Sequence, residues 1–351
     1  MRTATMPAVR RLLHRALPAH FPDPFGLALR LIRSGDRAAR FAMAASALGV
    51  AAWPLDAILG IIERRNERLA AEPRLPIVIV VGAPRTGTTV TAQALAAGLP
   101  VSYFNNLSEV FPRSPITANR LFGSLLRPSK PTYTSYYGRS PNFSGFSDGL
   151  QLWDRWLGPD RKHLPSELTE ERRRDMRRFF GAFEQAFGKP IVNKHNSLNT
   201  RAHLVAAALP TAHFIAMTRD PVFLAQSLYK ARLDILGDVR LWYGVEEDHR
   251  PQSVRDPIQD VCEQVRFHEG QLAQQQALIG PKRFWVVGYE EFCADPRRLV
   301  RRVGEEILGL SGEGWRDIPA RFEVSNRPHV TPKVFDAIRR TLAERGASVC
   351  P

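Results

Sequence analysis

The sequence predicts an α/β protein of three layers, in which helices cover both faces of a mainly parallel sheet. Pro76–Val81 is a continuous β-branched run, as is typical of a strand that is buried on both faces, and His213–Thr218 reads as a second strand. Each run passes through a short loop into a helical stretch, which is Val90–Ala97 in the first case and begins at Val222 in the second. Repeated strand–loop–helix units of this kind indicate a parallel sheet.

Length and composition fit one large domain with an accessory segment. The 351 residues are 44% hydrophobic and 24% charged, which supports a packed core and excludes a disordered chain. The three cysteines, Cys262, Cys293 and Cys350, are scattered along the chain. They favour neither a disulfide framework nor a zinc site, and they indicate a reducing compartment such as the cytoplasm.

The charge of the chain is strongly positive, with 49 Lys and Arg against 35 Asp and Glu and a formal net charge of +14. Such an excess fits three kinds of partner: nucleic acid, an anionic membrane surface or an anionic small molecule. The sequence carries no RRM, helix-turn-helix, zinc or OB signature. Nucleic acid is therefore the least favoured of the three.

Residues 1–75 form a basic N-terminal segment that we predict to be helical, and residues 76–351 form the main domain. The segment holds 12 Arg and 6 acidic residues, hence a local charge of +6, and a first short helix is predicted near residues 10–17. Residues 41–55 are uncharged, but Pro54 and Asp56 interrupt the roughly 20 apolar residues that a membrane span requires. We expect two helices that meet near Trp53-Pro54 and pack on the main domain. The alternative is peripheral membrane contact through residues 41–62, with a helix lying in the membrane interface.

A glycine-rich loop follows the first strand and reads Gly82-Ala83-Pro84-Arg85-Thr86-Gly87-Thr88-Thr89. The backbone N–H groups of such a loop and the N-terminus of the next helix together bind anions. In the nucleotide-binding pattern GxxxxGK[ST], a lysine stands where this chain has Thr88, which disfavours the kinase or NTPase that is the alternative interpretation. The guanidinium of Arg85 and the threonine hydroxyls instead suit a terminal oxyanion that is being transferred.

A second anion site is predicted after the strand His213–Thr218. Arg219 follows this strand, Asp220 can cap the next helix, and Pro221 suits its first turn. Ser227 lies two turns into that helix, where it can face the same pocket as Arg219. Ligands bind at the carboxyl ends of strands in open α/β sheets, so an arginine and a serine converging there suit a phosphate.

These two motifs resemble those of sulfotransferases that use 3′-phosphoadenosine 5′-phosphosulfate (PAPS). The loop resembles the 5′-phosphosulfate-binding loop of bacterial and tyrosylprotein sulfotransferases, and the Arg219–Ser227 unit resembles the family's 3′-phosphate site. Further similar stretches extend the resemblance over roughly residues 76–310. The resemblance implies a P-loop NTPase-like sulfotransferase fold, PAPS as donor, 3′-phosphoadenosine 5′-phosphate (PAP) as product and no requirement for a metal. The donor-binding residues that it implies are Gly82, Pro84, Arg85, Thr86, Gly87, Thr88, Thr89, Arg219, Ser227, Tyr289 and Lys333.

The resemblance also implies catalytic roles for four residues. Arg85 would stabilise the leaving phosphate, and Lys194 would assist on the sulfonate. For the general base there are two candidates. Glu109 lies at a distance beyond the loop that resembles the position of the catalytic Glu in tyrosylprotein and several glycan sulfotransferases. His195 resembles the catalytic His of cytosolic small-molecule sulfotransferases, although Asn196-Ser197 departs from the Leu-Pro that follows it there; we favour Glu109.

The acceptor is the least specified partner. Residues 104–156 are rich in aromatic side chains, which suit the stacking of sugar rings but also suit a core, and the core is the expectation for Trp153 and Trp156. Residues 127–147 read as a loop-rich lid over the acceptor, and Tyr136 and Tyr137 lie in it. A glycan or glycolipid hydroxyl is favoured, and phenols and peptide tyrosines stay open.

Overall fold

The computed structural model describes residues 23–126, 133, 135–136, 138, 140–246, 256–311 and 318–346. The helix predicted near residues 10–17 lies outside the described residues, as do residues 127–132, 134, 137 and 139 of the predicted lid, Tyr137 among them.

A parallel sheet forms the middle layer, and in the described part of the chain it has five strands in the order β2–β3–β1–β4–β5. The strands are β1 (Ile77–Gly82), β2 (Ser102–Tyr103), β3 (Ile191–Lys194), β4 (Ala212–Thr218) and β5 (Phe284–Gly288). The central strand β1 is buried along its whole length, which explains why its sequence is apolar throughout and does not alternate. The two predicted strands are confirmed to within one residue.

Helices connect the strands and cover both faces of the sheet. In chain order they are α1 (Pro24–Arg33), α2 (Arg37–Ala51), α3 (Trp53–Leu69), α4 (Thr88–Gly98), α5 (Asn106–Val110), α6 (Pro115–Phe122), α7 (Leu150–Leu157), α8 (Glu170–Phe187), α9 (Ala202–Ala208), α10 (Pro221–Ala231), α11 (Pro257–Ile279), α12 (Tyr289–Ala294), α13 (Pro296–Glu306) and α14 (Pro332–Gly346).

Two apolar cores lie on opposite faces of the sheet, because alternate residues of β1 point in opposite directions. Ile77, Ile79 and Val81 pack with the aromatic side chains of α7 and α8. Val78 and Val80 pack on the other face with residues of α4, α12 and α13. The predicted three-layer α/β fold is thereby confirmed.

The start of α10 shows why the chain turns sharply at the carboxyl end of β4. The Asp220 carboxylate accepts hydrogen bonds from the backbone N–H groups of Val222 and Phe223, at 2.9 and 3.2 Å, and Pro221 occupies the first turn. This is the predicted cap. It leaves Arg219 at the carboxyl end of β4, beside the carboxyl end of β1, where the glycine-rich loop begins.

The N-terminal helices α1 to α3 pack against the main domain. As predicted, two helices meet near Trp53-Pro54: α2 ends at Ala51, α3 begins at Trp53, and the chain bends by 72° between them. Within the described ranges no single helix is long and apolar enough to cross a membrane, whereas α2 and α3 taken together reach that length and composition.

Candidate active site

The glycine-rich loop leaves β1 in a conformation that only certain residues adopt easily. Gly82 and Gly87 have φ values of 142° and 84°. A Cβ at Gly82 would lie 2.6 Å from the carbonyl oxygen of Met217 on the neighbouring strand β4, so no larger residue fits. The buried hydroxyl of Thr86 donates to the Ala83 carbonyl at 2.8 Å and closes the loop from within.

Arg85 stands at the tip of this loop and links it to the second motif. Its φ of 79° lies in the left-handed region, which is costly for a residue other than glycine and is typical of functional sites. Its Nε donates to the Ser227 hydroxyl of α10 at 3.1 Å. Its carbonyl oxygen accepts a hydrogen bond of 2.9 Å from Arg219. The structure therefore brings together three residues that the sequence places in two separate motifs.

Arg219 is nearly buried and is oriented by a segment near the C-terminus. Its guanidinium donates to the Ser325 carbonyl at 2.9 Å and to the Asn326 side-chain oxygen at 2.9 and 3.0 Å, and it lies 4.9 Å from the centre of the Tyr289 ring. These acceptors are neutral, so they fix the guanidinium without cancelling its charge. Burial lowers the pKa of Arg219, and the nearby charge of Arg85 lowers it further, while Tyr289 and Glu290 act in the opposite sense.

Tyr289 closes the other side of the loop. Its ring packs directly on Gly87, where an added Cβ would lie 2.3 Å from the ring. Its hydroxyl is 3.2 Å from the Ser325 hydroxyl. Tyr289 therefore fixes both the loop and the segment that orients Arg219.

The carboxyl end of β3 lies beside the start of α4 and carries a second group of polar side chains. The Thr88 hydroxyl donates to the side-chain oxygen of Asn196 at 2.9 Å. Lys194 is almost completely buried; its Nζ donates to the Thr89 hydroxyl at 3.3 Å and forms an ion pair of 2.7 Å with Asp148. Asp148 thus holds the Lys194 ammonium against the loop.

Glu109 lies on α5, next to this group. Its Oε1 accepts hydrogen bonds from the Ser147 hydroxyl at 2.9 Å and from the backbone N–H of Leu150 at 3.0 Å, so it caps the N-terminus of α7. Among the described residues no hydrogen bond is made to Oε2. Ser147 adjoins Asp148, the partner of Lys194, so a chain of contacts connects the Glu109 carboxylate with Thr89 of the loop.

Arg161 adds a second positive charge near these carboxylates. It forms a bidentate pair with Asp154, with distances of 2.9 and 2.8 Å. Burial alone would lower the pKa of Arg161, but the hydrogen bonds to Asp154 and the charges of Asp154, Glu109 and Asp148 raise it. Three carboxylates, a lysine and an arginine therefore lie at this end of the site.

His195 follows Lys194 and is buried beside an aromatic side chain. Its ring contacts Trp153 edge to face at 5.4 Å, and its Nδ1 has no hydrogen-bond partner among the described residues. Burial lowers the pKa of His195 to about 3, and the charges of Arg161 and Lys194 add to this effect. The imidazole is neutral at physiological pH and has a low affinity for a proton.

The remaining predicted residues lie at the margins of the site. Pro84 is buried and packs against Gly244, where an added Cβ would lie 3.0 Å from the proline ring. Lys333 is exposed in the first turn of α14, and no described contact joins it to the loop. Trp153 and Trp156 are fully buried, so they belong to the core as expected.

Sequence reasoning missed three residues of the site, namely Asp148, Arg161 and Asn196. Asn196 could have been noticed, because Asn196-Ser197 stands where Leu-Pro follows the histidine in cytosolic small-molecule sulfotransferases. Nothing in the sequence pointed to Asp148 or Arg161. Within the described ranges, no group of three or more His, Cys, Asp or Glu side chains is arranged to hold a metal ion.

Comparison with known proteins decides which family this arrangement belongs to. A family model described as the sulfotransferase family matches residues 76–313. The chain belongs to the sulfotransferase family. The match includes the glycine-rich loop, Glu109, Lys194 and Arg219, and it begins one residue before β1.

Solved structures of sulfotransferases share the fold of the chain. Sulfotransferase STF9 from Mycobacterium avium is 17% identical, with 98% of this chain and 89% of that chain covered and a TM-score of 0.50. Sulfotransferase STF1 from Mycobacterium tuberculosis H37Rv is 13% identical, with coverage of 96% and 99% and a TM-score of 0.51. No curated protein matches the chain significantly. At these identities the likeness concerns the fold.

Proposed function

We propose that this sulfotransferase transfers a sulfuryl group from PAPS to a hydroxyl group of an acceptor and releases PAP. The observation that carries the proposal is the junction of the two anion motifs, where Arg85 contacts Ser227 and its carbonyl accepts from Arg219. Both guanidinium groups, of Arg85 and Arg219, donate there to neutral hydrogen-bond acceptors. Such a junction suits a donor that carries phosphate at two positions.

The residues present fit PAPS. The loop ends at Gly87, the N-cap of the eleven-residue helix α4, so backbone N–H groups and the positive end of a helix converge on one place. Burial, and then the charge of Arg85, lowers the pKa of Arg219, and a bound anion would favour the charged form of this guanidinium. When bound, PAPS would supply the sulfuryl group.

The roles of the cations follow from where the structure holds them. Arg85, at the tip of the loop, would neutralise the charge that develops on the leaving phosphate. Lys194, which Asp148 holds beside Thr89, would bind the sulfonate oxygens together with the threonine hydroxyls. Because these cations and hydroxyl groups are fixed before PAPS binds, they would stabilise the developing charge without rearrangement.

Glu109 is the base that we propose for the acceptor hydroxyl. Its Oε1 is engaged by Ser147 and Leu150, which fixes the carboxylate and directs Oε2 to the acceptor's proton. His195 is the weaker candidate, because burial lowers the pKa of its imidazole to about 3. A glycan or glycolipid stays the favoured acceptor. The reason is that Tyr133, Tyr136 and Phe143 are half-buried aromatic side chains on which a sugar ring could stack.

Ligand-induced thermal stabilisation tests the donor. We expect PAP, without magnesium, to raise the melting temperature, and Arg219→Ala to abolish the effect. Ser325→Ala should reduce this rise in melting temperature only in part, because the Ser325 carbonyl still orients Arg219. Stabilisation by ATP with magnesium and none by PAP would favour a kinase instead.

Transfer of labelled sulfate from PAPS to a panel of acceptors tests the base and the acceptor class. We expect Glu109→Gln to lower kcat by at least about a hundredfold and to leave PAP binding unchanged, because the amide oxygen still caps α7 but cannot take a proton. Glu344→Gln, an exposed carboxylate on α14, is the matched control. Full activity of Glu109→Gln together with loss of activity in His195→Asn would assign the base to His195.

A further inference from the structure

The helix α3 is turned with its acidic residues inward. Its three carboxylates, Asp56, Glu63 and Glu67, are buried, with 0%, 1% and 4% of their surface exposed. Acidic residues are rarely buried unless they are paired, so each needs a partner inside the protein. This orientation is the reverse of the usual arrangement, in which a surface helix packs with its apolar face.

The partners of these carboxylates explain why they point inward. Glu63 accepts hydrogen bonds from the backbone N–H groups of Ile116 and Thr117 at 2.9 and 2.8 Å, in the first turn of α6. Asp56 accepts from the Ser114 hydroxyl at 2.9 Å, just before α6 begins. Both negative charges thus lie at the positive end of α6. Glu67 pairs with Arg155 at 2.6 Å.

The outward face of α2 and α3 is apolar around their junction. We call residues 37–69 the α2–α3 corner. Its exposed large side chains are Leu48, Leu55, Ile58, Ile61, Ile62 and Leu69, which are between 41% and 76% exposed. Leu55, Ile58, Ile62 and Leu69 follow one another at intervals of three, four and seven residues, so they form one stripe along α3.

Arginines stand at both ends of this apolar surface. Arg37 and Arg40 are exposed at the start of α2, and Arg64, Arg65 and Arg68 are exposed at the end of α3. The three acidic residues of the corner are the buried ones, so its exposed face carries positive charges alone. An apolar middle with cations at each end complements a layer of hydrocarbon beneath anionic headgroups.

We propose that the α2–α3 corner is a docking surface for an anionic lipid bilayer. The exposed leucines and isoleucines enter the boundary between headgroups and acyl chains, and the five arginines bind the headgroups. A second copy of this chain is a poorer occupant, because its corner would present arginines and no exposed acid to pair with them. Because α2 and α3 are bent by 72° and α3 packs Leu59 against the main domain, we infer that the corner lies on the bilayer rather than spans it.

Docking by this corner would place one end of the active site near the bilayer. Leu59 of α3 packs with Leu107 and Val110 of α5, the helix that carries Glu109. Phe41 of α2 also contacts Phe143, in the region of the predicted acceptor lid, at 5.1 Å. The inference goes beyond the proposed sulfuryl transfer, and its test requires no activity.

Sedimentation of the full-length protein with lipid vesicles tests the inference. We expect binding to vesicles in which about a third of the phosphatidylcholine is replaced by phosphatidylglycerol, and weak binding to phosphatidylcholine alone. The double variant Ile58→Gln with Ile62→Gln should lower the partition coefficient at least about tenfold. Arg64→Gln with Arg65→Gln should lower it several-fold for each arginine at low salt, and less at high salt.

A matched control separates docking from general surface hydrophobicity. Leu278 on α11 is 58% exposed and Ile58 is 60% exposed, so Leu278→Gln removes a similar apolar surface elsewhere. We expect this variant to bind vesicles like the original protein, and all variants to melt at similar temperatures. Equal binding by the Ile58/Ile62 variant, or no binding by the original protein, would overturn the inference. So would a dimer in lipid-free sedimentation velocity that the Ile58/Ile62 variant disrupts.

Discussion

The carboxyl end of the sheet, which carries Arg85, Lys194 and Arg219 and is called the loop edge below, and the α2–α3 corner are both positively charged. Their charged side chains point in opposite directions. At the loop edge the cations point inward: Lys194 is 1% exposed, and Arg219 is 9% exposed. In the corner the carboxylates point inward and five arginines point to solvent. The inward cations are fixed by hydrogen bonds and, for Lys194, by an ion pair with Asp148, whereas the outward ones lie along an apolar surface.

This difference shows that the direction of charged side chains, more than their number, determines the kind of partner. Enclosed and oriented cations select a small anion of defined shape. Exposed arginines beside leucine and isoleucine side chains suit an extended anionic surface. The net charge of +14 is the sum of both kinds and distinguishes neither.

The largest effect that we expect comes from the loop edge, where Arg85→Gly separates function from stability. Glycine adopts the left-handed conformation of residue 85 without strain, which offsets the lost hydrogen bond to Ser227. We expect transfer from PAPS to fall by about 10²–10³-fold, while the free energy of unfolding in urea changes by less than about 1 kcal/mol. A loss of stability that is much larger would show that Arg85 is mainly structural.

The corresponding variant in the corner is Glu63→Ala, which should act on stability and leave the chemistry intact. Removal of the carboxylate leaves the buried N–H groups of Ile116 and Thr117 without acceptors. We expect the free energy of unfolding to fall by about 3 kcal/mol, with the kcat of the folded protein unchanged. Glu305→Ala on α13, an exposed carboxylate, should change stability by less than about 0.5 kcal/mol. Similar losses in the two variants would argue against the inward orientation of α3.

Acid should lower the free energy of unfolding of the main domain, because two buried histidines take up protons when the chain unfolds. Burial lowers the pKa of His195 and His268 to about 3, below the ordinary value near 6.5 that they regain on unfolding. The unfolded chain therefore binds protons first, and the stability that these histidines contribute is complete above about pH 6.5 and lost as the pH falls towards 3. The free energy of unfolding, measured in urea, should fall with pH by up to about 1.4 kcal/mol per pH unit for each histidine. His268→Asn should reduce that slope, and an unchanged slope would contradict the assignment.

Glu63 should respond to acid in the opposite sense. Burial raises its pKa, although the hydrogen bonds from Thr117 and Ile116 act against this. Its contribution to stability is present below its unfolded pKa and is lost as the pH rises through the folded value. The loss of stability in acid should therefore be steeper in Glu63→Gln than in the original protein.

The smallest effect should come from Lys333, the exposed cation predicted to contact the donor. Its charge is screened by solvent, so we expect Lys333→Ala to weaken PAP binding by no more than about fivefold, and less at high salt. Isothermal titration at two salt concentrations measures this. A loss as large as that of Arg219→Ala would show that α14 moves onto the bound nucleotide.

Much of the fold and part of the site could be predicted from local sequence. Pro76–Val81 is a continuous apolar run, His213–Thr218 reads as a strand before a turn, and Asp220-Pro221 carries its own helix cap. These signals can be read from the sequence because they arise from neighbouring residues. The junction of Pro54 with the second helix was predicted for the same reason. Asp148 escaped prediction because its partner Lys194 is distant in the chain, and Arg161 because only the fold brings it near Glu109 and Asp148.

The sequence by itself determined the two strand–loop–helix units, the loop glycines and the charge of the N-terminal segment, since each depends on residue type and short-range spacing. Only the tertiary structure decided that Arg85 meets Ser227 and Arg219, because parallel strands that are far apart in the chain end at one edge of the sheet. It also decided which way α3 faces. A helix with both apolar and acidic stripes can pack by either, and here the N-terminus of α6 provides N–H donors that attract the carboxylates inward and leave the leucines and isoleucines outside.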